Sequence, residues 1–361
     1  MFKKSLSNLF LLFTLVLQSQ IQSPKEYLGY SLGTKFSRHH QVVDYFKHLE
    51  NGSEALQLQS YGKTNEGRLL QLAFISSPEN LKNLESIRKT HLQNSGIEKG
   101  PLNNEKAIVW LSYNVHGNES SSTEAAMKTA HALLTKYSNW LKDTIVIIDP
   151  CINPDGRDRY VNLYNQTKST PYDSNGLTRE HSESWHSGRS NHYMFDLNRD
   201  WAWLTQLESE QRVKKYNLWL PHIHVDFHEQ GINNPYYFAP AAEPLHEVIT
   251  NFQIDFQDAI GKNHASYFDK EGWFYFTKQN FDLLYPSYGD SYPMFLGSIG
   301  MTYEQAGGGV AGLGIDNNEN IELTLIDRIE HHYTTGISTV EMAVKNKQIL
   351  NENYQAYFKN K

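Results

Sequence analysis

The feature that most constrains the fold is an apolar run that ends at a short polar motif. Residues 107–111, Ala-Ile-Val-Trp-Leu, have the length and composition of a buried strand. The motif His116-Gly117-Asn118-Glu119 follows, and residues 121–137 have the pattern of a helix, with Ser121 and Glu124 spaced as a capping box. An imidazole and a carboxylate three residues apart at the carboxyl end of a central strand are suited to bind zinc. Open α/β sheets carry their chemistry at that edge. By itself the His-x-x-Glu spacing is a weak signal, because it often arises by chance.

The remaining patterns predict alternating strands and helices in one catalytic domain, residues 24–350. A second apolar strand follows the first helix, which indicates a parallel crossover unit. Asn153-Pro154-Asp155-Gly156 is predicted to form a turn, and residues 158–193 to form a long functional loop. The other predicted strands are 56–61, 69–76, 144–152, 221–227 and 297–303, and the other predicted helices are 42–49, 81–92, 204–218, 245–260 and 321–343.

The N-terminus has the pattern of a secretory signal peptide. Lys3 and Lys4 precede an apolar run at 9–17 that is too short to span a bilayer. We assign residues 1–22 to the signal peptide, with cleavage between Ser19 and Ser23; the alternative is a retained N-terminal anchor. We therefore expect an exported protein, periplasmic or secreted, with no transmembrane span in the mature chain.

Composition excludes some classes of function. The net charge of -7 and the absence of a basic stripe argue against a nucleic-acid binder. Cys151 is the only cysteine, so no intrachain disulfide can form despite export.

A further candidate metal ligand ends the strand that begins near residue 221. His222, His224, Asp226 and His228 alternate with apolar residues and therefore share one face. At about 3.3 Å per residue, His224 is roughly 13 Å from His228, too far to share a metal. We interpret His222 and His224 as core residues and His228 as a ligand.

Two other segments carry candidate polar groups. The guanidinium and amide of Asn198-Arg199 suit a carboxylate, although a surface pair between Arg199 and Asp200 explains this segment equally well. Glu304 ends an apolar strand before a Gly-rich segment, which fits a general base facing a cleft. Taken alone, an ordinary strand-end carboxylate is the simpler interpretation of Glu304.

Together the four segments resemble the zinc carboxypeptidase family, the metallopeptidases of the carboxypeptidase A and B type. The matching residues, in the family's order, are His116-x-x-Glu119, Asn198-Arg199, His228 and Glu304. The resemblance spans residues 27–343, and the surrounding motifs resemble a bacterial exported branch. It implies an α/β fold with a mixed, mostly parallel central sheet flanked by helices on both faces.

The resemblance also implies a metal site and a base. His116, Glu119 and His228 would bind one zinc ion per chain, and Glu304 would be the general base. Asp196 would orient the imidazole of His116 from behind.

Substrate-contacting residues follow from the same resemblance. Asn198-Arg199 would hold the free α-carboxylate of the substrate. The arginine that polarises the scissile carbonyl would be Arg189, with Arg179 as the alternative. The family's mobile tyrosine would be Tyr285, with Tyr288 as the alternative and as a substrate-binding residue.

These roles imply a zinc metallocarboxypeptidase acting on peptides or proteins with a free C-terminus. An alternative is a zinc amidohydrolase acting on N-acyl amino acids or cell-wall peptides, because Arg199 serves any substrate with a carboxylate. A non-catalytic peptide-binding protein of the same fold is disfavoured by the complete set of ligands and base.

Overall fold

The computed structural model describes residues 21–100 and 105–359. The predicted signal peptide lies outside these residues except for Ile21 and Gln22. No helix within the described ranges combines the length and the apolar character needed to cross a membrane.

Twelve strands form within the described ranges. In chain order they are β1 (Leu56–Lys63), β2 (Leu69–Ile75), β3 (Ala107–Tyr113), β4 (Thr144–Asp149), β5 (Ile223–Gln230), β6 (Tyr236–Tyr237), β7 (Ala242–Leu245), β8 (Tyr275–Phe276), β9 (Asp282–Leu283), β10 (Ile299–Ala306), β11 (Gly314–Asp316) and β12 (Glu322–Thr324).

Eight of these strands form the central sheet, in the order β1-β2-β4-β3-β5-β10-β6-β8. The four middle strands, β4, β3, β5 and β10, run parallel. Antiparallel pairs join β1 to β2, β2 to β4 and β6 to β10, while β6 and β8 are parallel. The predicted mixed, mostly parallel sheet is confirmed. Two small sheets, β7-β9 and β11-β12, lie outside it.

Eleven α-helices connect and cover the strands of the described chain. They are α1 (Pro24–Leu28), α2 (His39–Gly52), α3 (Pro78–Lys82), α4 (Leu84–Asn94), α5 (Ser121–Leu134), α6 (Pro154–Thr167), α7 (Leu207–Tyr216), α8 (Asn251–Glu271), α9 (Ser291–Phe295), α10 (Leu325–Lys345) and α11 (Lys347–Lys359). Short 3₁₀ turns occur at Ser138–Lys142, Arg179–His181 and Leu197–Arg199.

Helices cover both faces of the sheet, as β3 illustrates. Val109 and Leu111 belong to a core cluster that also contains residues of α2, α5, α8 and α10. Ile108 and Trp110 point to the opposite face and join a cluster with residues of α4, α7 and α11. The apolar residues of β3 run continuously because both faces of this strand are buried.

The parallel middle of the sheet determines where the polar motifs meet. β5 lies between β3 and β10, so the carboxyl ends of all three strands lie at one edge. His116 and Glu119 follow β3, and His228 and Glu304 lie near the ends of β5 and β10. These residues are far apart in sequence and are brought together by the strand order.

The predicted capping box at the start of α5 is wrong. Ser120 is the N-cap residue and makes no side-chain capping bond. Glu124 is instead fully buried, accepts a hydrogen bond from the Ser37 amide at 2.6 Å and pairs with Arg157 at 2.7 Å. Ser121 and Glu124 instead contact residues distant in sequence, Glu229 and Arg157, because this helix end is covered by protein instead of water.

The predicted turn at residues 153–156 is also wrong, because it is the beginning of α6. Asn153 caps this helix, accepting a hydrogen bond from the Gly156 amide at 3.0 Å, and Pro154 occupies the first turn. The long loop predicted for residues 158–193 therefore begins only after Thr167.

Other element boundaries also differ from the predictions. The helix predicted at 81–92 is divided at Asn83, and α11 follows the last predicted helix.

Candidate metal centre and active site

Three buried side chains converge at the edge of the sheet. His116 Nδ1 lies 2.7 Å from Glu119 Oε1, and His228 Nδ1 lies 2.9 Å from Glu119 Oε2. The two Nδ1 atoms are 3.2 Å apart. Atoms bound tetrahedrally to zinc at about 2.0–2.1 Å lie roughly 3.3 Å from one another, so these spacings fit one ion. Two imidazoles and a carboxylate are also a common ligand set of catalytic zinc sites.

The turn that presents His116 depends on Asn114, a residue with no role in the sequence-based predictions. Asn114 adopts the left-handed region with φ 60° directly after β3. Its side-chain amide donates to the carbonyl groups of His116 at 2.8 Å and Glu119 at 3.0 Å. Asparagine tolerates this conformation better than most residues. The only sign of this role in the sequence is that an asparagine stands between the strand and the His116–Glu119 motif.

Glycine is required at one point of this turn. A Cβ atom on Gly117 would lie 2.2 Å from the Arg157 backbone nitrogen, so the turn and the start of α6 are in close contact. This contact holds the His116–Glu119 segment against the body of the protein.

Asp196 and Arg189 lie behind the first histidine. His116 Nε2 donates to Asp196 Oδ1 at 2.8 Å, which leaves Nδ1 facing Glu119. Arg189 contacts Glu119 Oε1 at 3.2 Å and Asp196 Oδ2 at 3.0 Å. Burial favours the neutral acid, but the hydrogen bond from His116 and nearby positive charge hold the pKa of Asp196 well below its usual range.

Glu304 faces the same centre from the neighbouring strand. It is the register partner of His228 in the parallel pair of β5 and β10 and is 9% exposed. Burial, with the negative charges of Glu119 and Asp290, raises the pKa of Glu304 to about 8 in the metal-free protein, although His228 opposes the shift. A carboxylate whose pKa is raised in this way is a stronger base than an ordinary carboxylate.

Glu229, next to His228, is engaged elsewhere. Its buried carboxylate accepts hydrogen bonds from the Ser121 amide at 2.9 Å and from the Ser121 hydroxyl. It also pairs with the buried Arg328 at 3.3 Å. Through these contacts Glu229, on β5, links α5 and α10 to the sheet.

Asn198 and Arg199 lie on a 3₁₀ turn capped by Asp196, which accepts a hydrogen bond from the Asn198 amide at 2.9 Å. Asn198 Oδ1 accepts a hydrogen bond from the Gly289 amide at 2.9 Å. The half-exposed guanidinium of Arg199 lies over the Tyr288 ring, 4.5 Å from its centroid. A planar cation is therefore held open to solvent beside the candidate metal centre.

These groups surround one cavity of about 360 Å³. Asp290 also lines it, and burial together with the charge of Asp226 raises the pKa of Asp290 to about 7. The predicted site residues in the cavity wall are His116, Glu119, Arg189, Asn198, Arg199, His228, Tyr288 and Glu304.

Three of the predicted residues are not in the cavity wall: Asp196, which lies behind His116, and Tyr285 and Arg179. Tyr285 is at the surface, where its hydroxyl accepts a hydrogen bond from the Trp203 indole at 2.7 Å, and it is outside the cavity wall. Arg179, the alternative to Arg189, is exposed and donates to the Ser182 carbonyl. The cavity wall therefore contains Arg189 and not Arg179, and Tyr288 and not Tyr285.

The remaining strand histidines are buried, as core residues would be. His222 Nδ1 accepts a hydrogen bond from the Ile108 amide at 3.0 Å, and His224 Nε2 donates to Asp226 at 2.8 Å. Burial lowers the pKa of both histidines.

Comparison with known proteins relates this chain and its fold to a family. Residues 42–220 match the family model described as zinc carboxypeptidase. No curated protein gives a significant sequence match.

Among solved structures, a metallo-carboxypeptidase from Burkholderia cenocepacia is similar with TM-score 0.58 and 15% identity, over 86% of this chain and 70% of that one. Carboxypeptidase A from Helicoverpa armigera is similar with TM-score 0.56 and 16% identity, over 92% and 80%. A metallo-carboxypeptidase from Pseudomonas aeruginosa, in complex with (2-guanidinoethylmercapto)succinic acid, has TM-score 0.56 and 13% identity, over 88% and 70%. At such identities these structures establish the likeness of the fold.

Proposed function

We propose that this chain, which belongs to the zinc carboxypeptidase family, is a zinc-dependent exopeptidase that hydrolyses the C-terminal peptide bond of peptides or proteins. The observation that carries the proposal is the composition of one cavity. Three converging metal-ligand atoms, a buried carboxylate and an open guanidinium all face it. Each of these groups has a separate task in cleaving a terminal peptide bond.

One zinc ion would be held by His116, Glu119 and His228, whose ligand atoms all lie within 4.8 Å of one another. Zinc bound there would supply a Lewis acid for the scissile carbonyl and for the attacking water. Asp196 would keep the proton of His116 on Nε2, and so leave Nδ1 free for the metal, by accepting a hydrogen bond from Nε2–H.

Glu304 would take the proton of the attacking water and later return it to the leaving amine. Its position opposite His228 supports this role, because it is in the cavity wall beside the ligand set. Arg189 would donate hydrogen bonds to the carbonyl oxygen as negative charge develops there. Its contact with Glu119 at 3.2 Å indicates that its guanidinium reaches the centre.

Arg199 and Asn198 would bind the terminal carboxylate of the substrate. The guanidinium offers two parallel N–H donors, a geometry that matches a carboxylate. Tyr288 supports the guanidinium from one face at 4.5 Å. Fixing the terminal carboxylate would present only the last peptide bond to Glu304. The same contact with Arg199 would also bind the carboxylate of an N-acyl amino acid.

We also propose that the chain is exported to the periplasm or secreted. This proposal rests on Lys3 and Lys4 and the apolar run at 9–17. N-terminal sequencing of the mature protein should find a start near Ser19 to Ser23. A retained Met1 on cytoplasmic protein would contradict it.

The proposed activity can be tested with matched substrates. Peptides with free and amidated C-termini, together with N-acyl amino acids, would be incubated with the purified chain, and released residues identified by mass spectrometry. We expect single residues to be released from free-acid peptides, loss of release with a zinc chelator, and recovery on adding zinc. Preferred cleavage of N-acyl amino acids would favour the amidohydrolase, and internal cleavage would exclude an exopeptidase.

A further inference from the structure

Asp226 is a buried carboxylate beneath the candidate metal centre. It lies on β5 two residues before His228, on the same face of the strand, and is 0% exposed. Its Oδ1 atom accepts a hydrogen bond from His224 Nε2 at 2.8 Å. Its Oδ2 atom lies 3.7 Å from His228 Nε2. Within the described chain neither of these last two atoms has a hydrogen-bond partner.

The two candidate histidine ligands have related surroundings. Each directs Nδ1 at Glu119 and turns Nε2 away from it. Behind His116, Asp196 accepts from Nε2 at 2.8 Å. Behind His228, the buried carboxylate in the corresponding position is Asp226. An imidazole that binds a metal through Nδ1 carries its proton on Nε2, and a carboxylate acceptor there fixes that tautomer.

The protein backbone provides a specific space for this carboxylate. A Cβ atom on Gly289 would lie 1.6 Å from Asp226 Oδ2, so no larger residue fits at position 289 without displacing it. The Gly289 amide also donates to Asn198 at 2.9 Å. The loop that closes over Asp226 is thus the same loop that holds a candidate carboxylate-binding residue.

We infer that Asp226 is a positioning residue that accepts a hydrogen bond from the Nε2–H group of His228 and so presents Nδ1 of that ring to the metal. Gly289 is required because it leaves room for the carboxylate. The inference rests on the proposed zinc site and extends it, since it assigns the support of the second histidine to a residue outside the ligand set. His224 holds the other carboxylate oxygen and fixes the orientation of Asp226.

The test is the zinc affinity of the folded, metal-free full chain, measured by competition with a chromophoric chelator. Asp226→Asn should weaken zinc binding about 10- to 100-fold, because an amide offers one acceptor oxygen to two N–H donors. Gly289→Ala should weaken it in the same direction by displacing the carboxylate. Matched controls are Asp149→Asn, another buried carboxylate, and Gly231→Ala, whose nearest contact would be an ordinary 3.6 Å. Both controls should bind zinc as the wild type does.

Two further measurements separate positioning from a general structural role. Thermal unfolding of the metal-free variants reports their stability, and the visible spectrum of the cobalt-substituted protein reports ligand geometry. We expect Asp226→Asn to alter the cobalt spectrum. If this variant is less stable yet binds zinc with unchanged affinity and spectrum, the inference is overturned. If the wild type itself binds no zinc, the proposed function fails first, and the two failures are thereby distinguished.

Discussion

Glu304 and His228 are register partners on two neighbouring parallel strands, β10 and β5. The candidate base and a candidate metal ligand are therefore held by the middle of the sheet instead of by loops. Strands at this position cannot shift by one residue without turning every side chain to the opposite face. The relative position of the two groups is consequently fixed by the register of the two strands.

The first prediction concerns metal content. The purified chain should contain close to one zinc ion, and His228→Ala should lose most of it because two remaining protein ligands bind weakly. Metal analysis of both proteins would check this. His40→Ala, an exposed histidine on α2, should retain the metal. Unchanged zinc in the His228 variant would remove this residue from the ligand set.

The second prediction concerns the base. Glu304→Gln should reduce turnover on the order of 10²-fold or more, since an amide of the same shape cannot accept the proton of water. Rates on a free-acid peptide would be compared with zinc content and circular dichroism, which should not change. Glu54→Gln, at an exposed position, should behave as the wild type does. Near-normal turnover in the Glu304 variant would require a different base.

The third prediction concerns the terminal carboxylate. Free-acid peptides should be cleaved at least roughly tenfold faster than their amides, because an amide leaves the guanidinium of Arg199 without its charged partner. Arg199→Lys should remove much of this preference, since a point charge cannot form two parallel hydrogen bonds. Ratios of kcat/KM would be measured for both substrates. Arg179→Lys, outside the cavity, is the matched control, and equal rates in the wild type would contradict the assignment.

The fourth prediction concerns stability and pH. Burial raises the pKa of Asp149 from 3.8 to about 7, even though the Tyr61 hydroxyl donates to it at 2.7 Å. Between about pH 4 and pH 7 the folded state therefore holds a proton that the unfolded state has lost. This contribution to stability is fully present below about pH 4 and is lost as the pH rises through 7. Asp149→Asn cannot ionise, so its stability advantage over the wild type should grow as the pH rises from about 4 to about 7 and remain above pH 7.

The gain of Asp149→Asn should be no more than about 4 kcal/mol, the equivalent of a three-unit shift. Denaturant unfolding of metal-free protein at pH 5 and pH 8 would measure it. Asp44→Asn, at an exposed position, should follow the wild type at both pH values. A stability difference that does not depend on pH would show that Asp149 does not titrate in this range.

The fifth prediction concerns the buried pair of Glu124 and Arg157, both 0% exposed. Glu124→Ala should lower the free energy of unfolding by about 3–5 kcal/mol, because it leaves a buried guanidinium without its charge partner. Chemical denaturation would measure the change. Asp44→Ala, which removes a half-exposed pair with Lys47, should leave stability close to that of the wild type. A small effect at Glu124 would mean that water or another group replaces the carboxylate.

The sheet and the helices were largely predictable because their patterns are local. Apolar runs such as residues 107–111 identify strands wherever both faces are buried. The capping box at Ser121 and Glu124 was wrong because the partners of these side chains, Glu229 and Arg157, are distant in sequence. The turn at 153–156 was wrong because Asn-Pro also begins helices.

In the candidate site too, features that depend on local sequence were predictable and features that depend on the folded backbone were not. Residues in short motifs, such as His116 with Glu119, could be predicted from spacing and chemistry. Asn114 was missed because its role is to bind backbone carbonyls, and that role depends on a left-handed conformation that the sequence does not specify. The choice between Tyr285 and Tyr288 depends on the path of a loop, which no periodic pattern determines.

The order β3-β5-β10 has a consequence for how the protein folds. These strands come from distant parts of the chain, and parallel pairings between distant segments form slowly because long loops must close first. The three candidate metal-binding atoms therefore meet only after the middle of the sheet has assembled. We expect the chain to fold without zinc and to acquire the ion afterwards, unlike small domains whose folding depends on their metal.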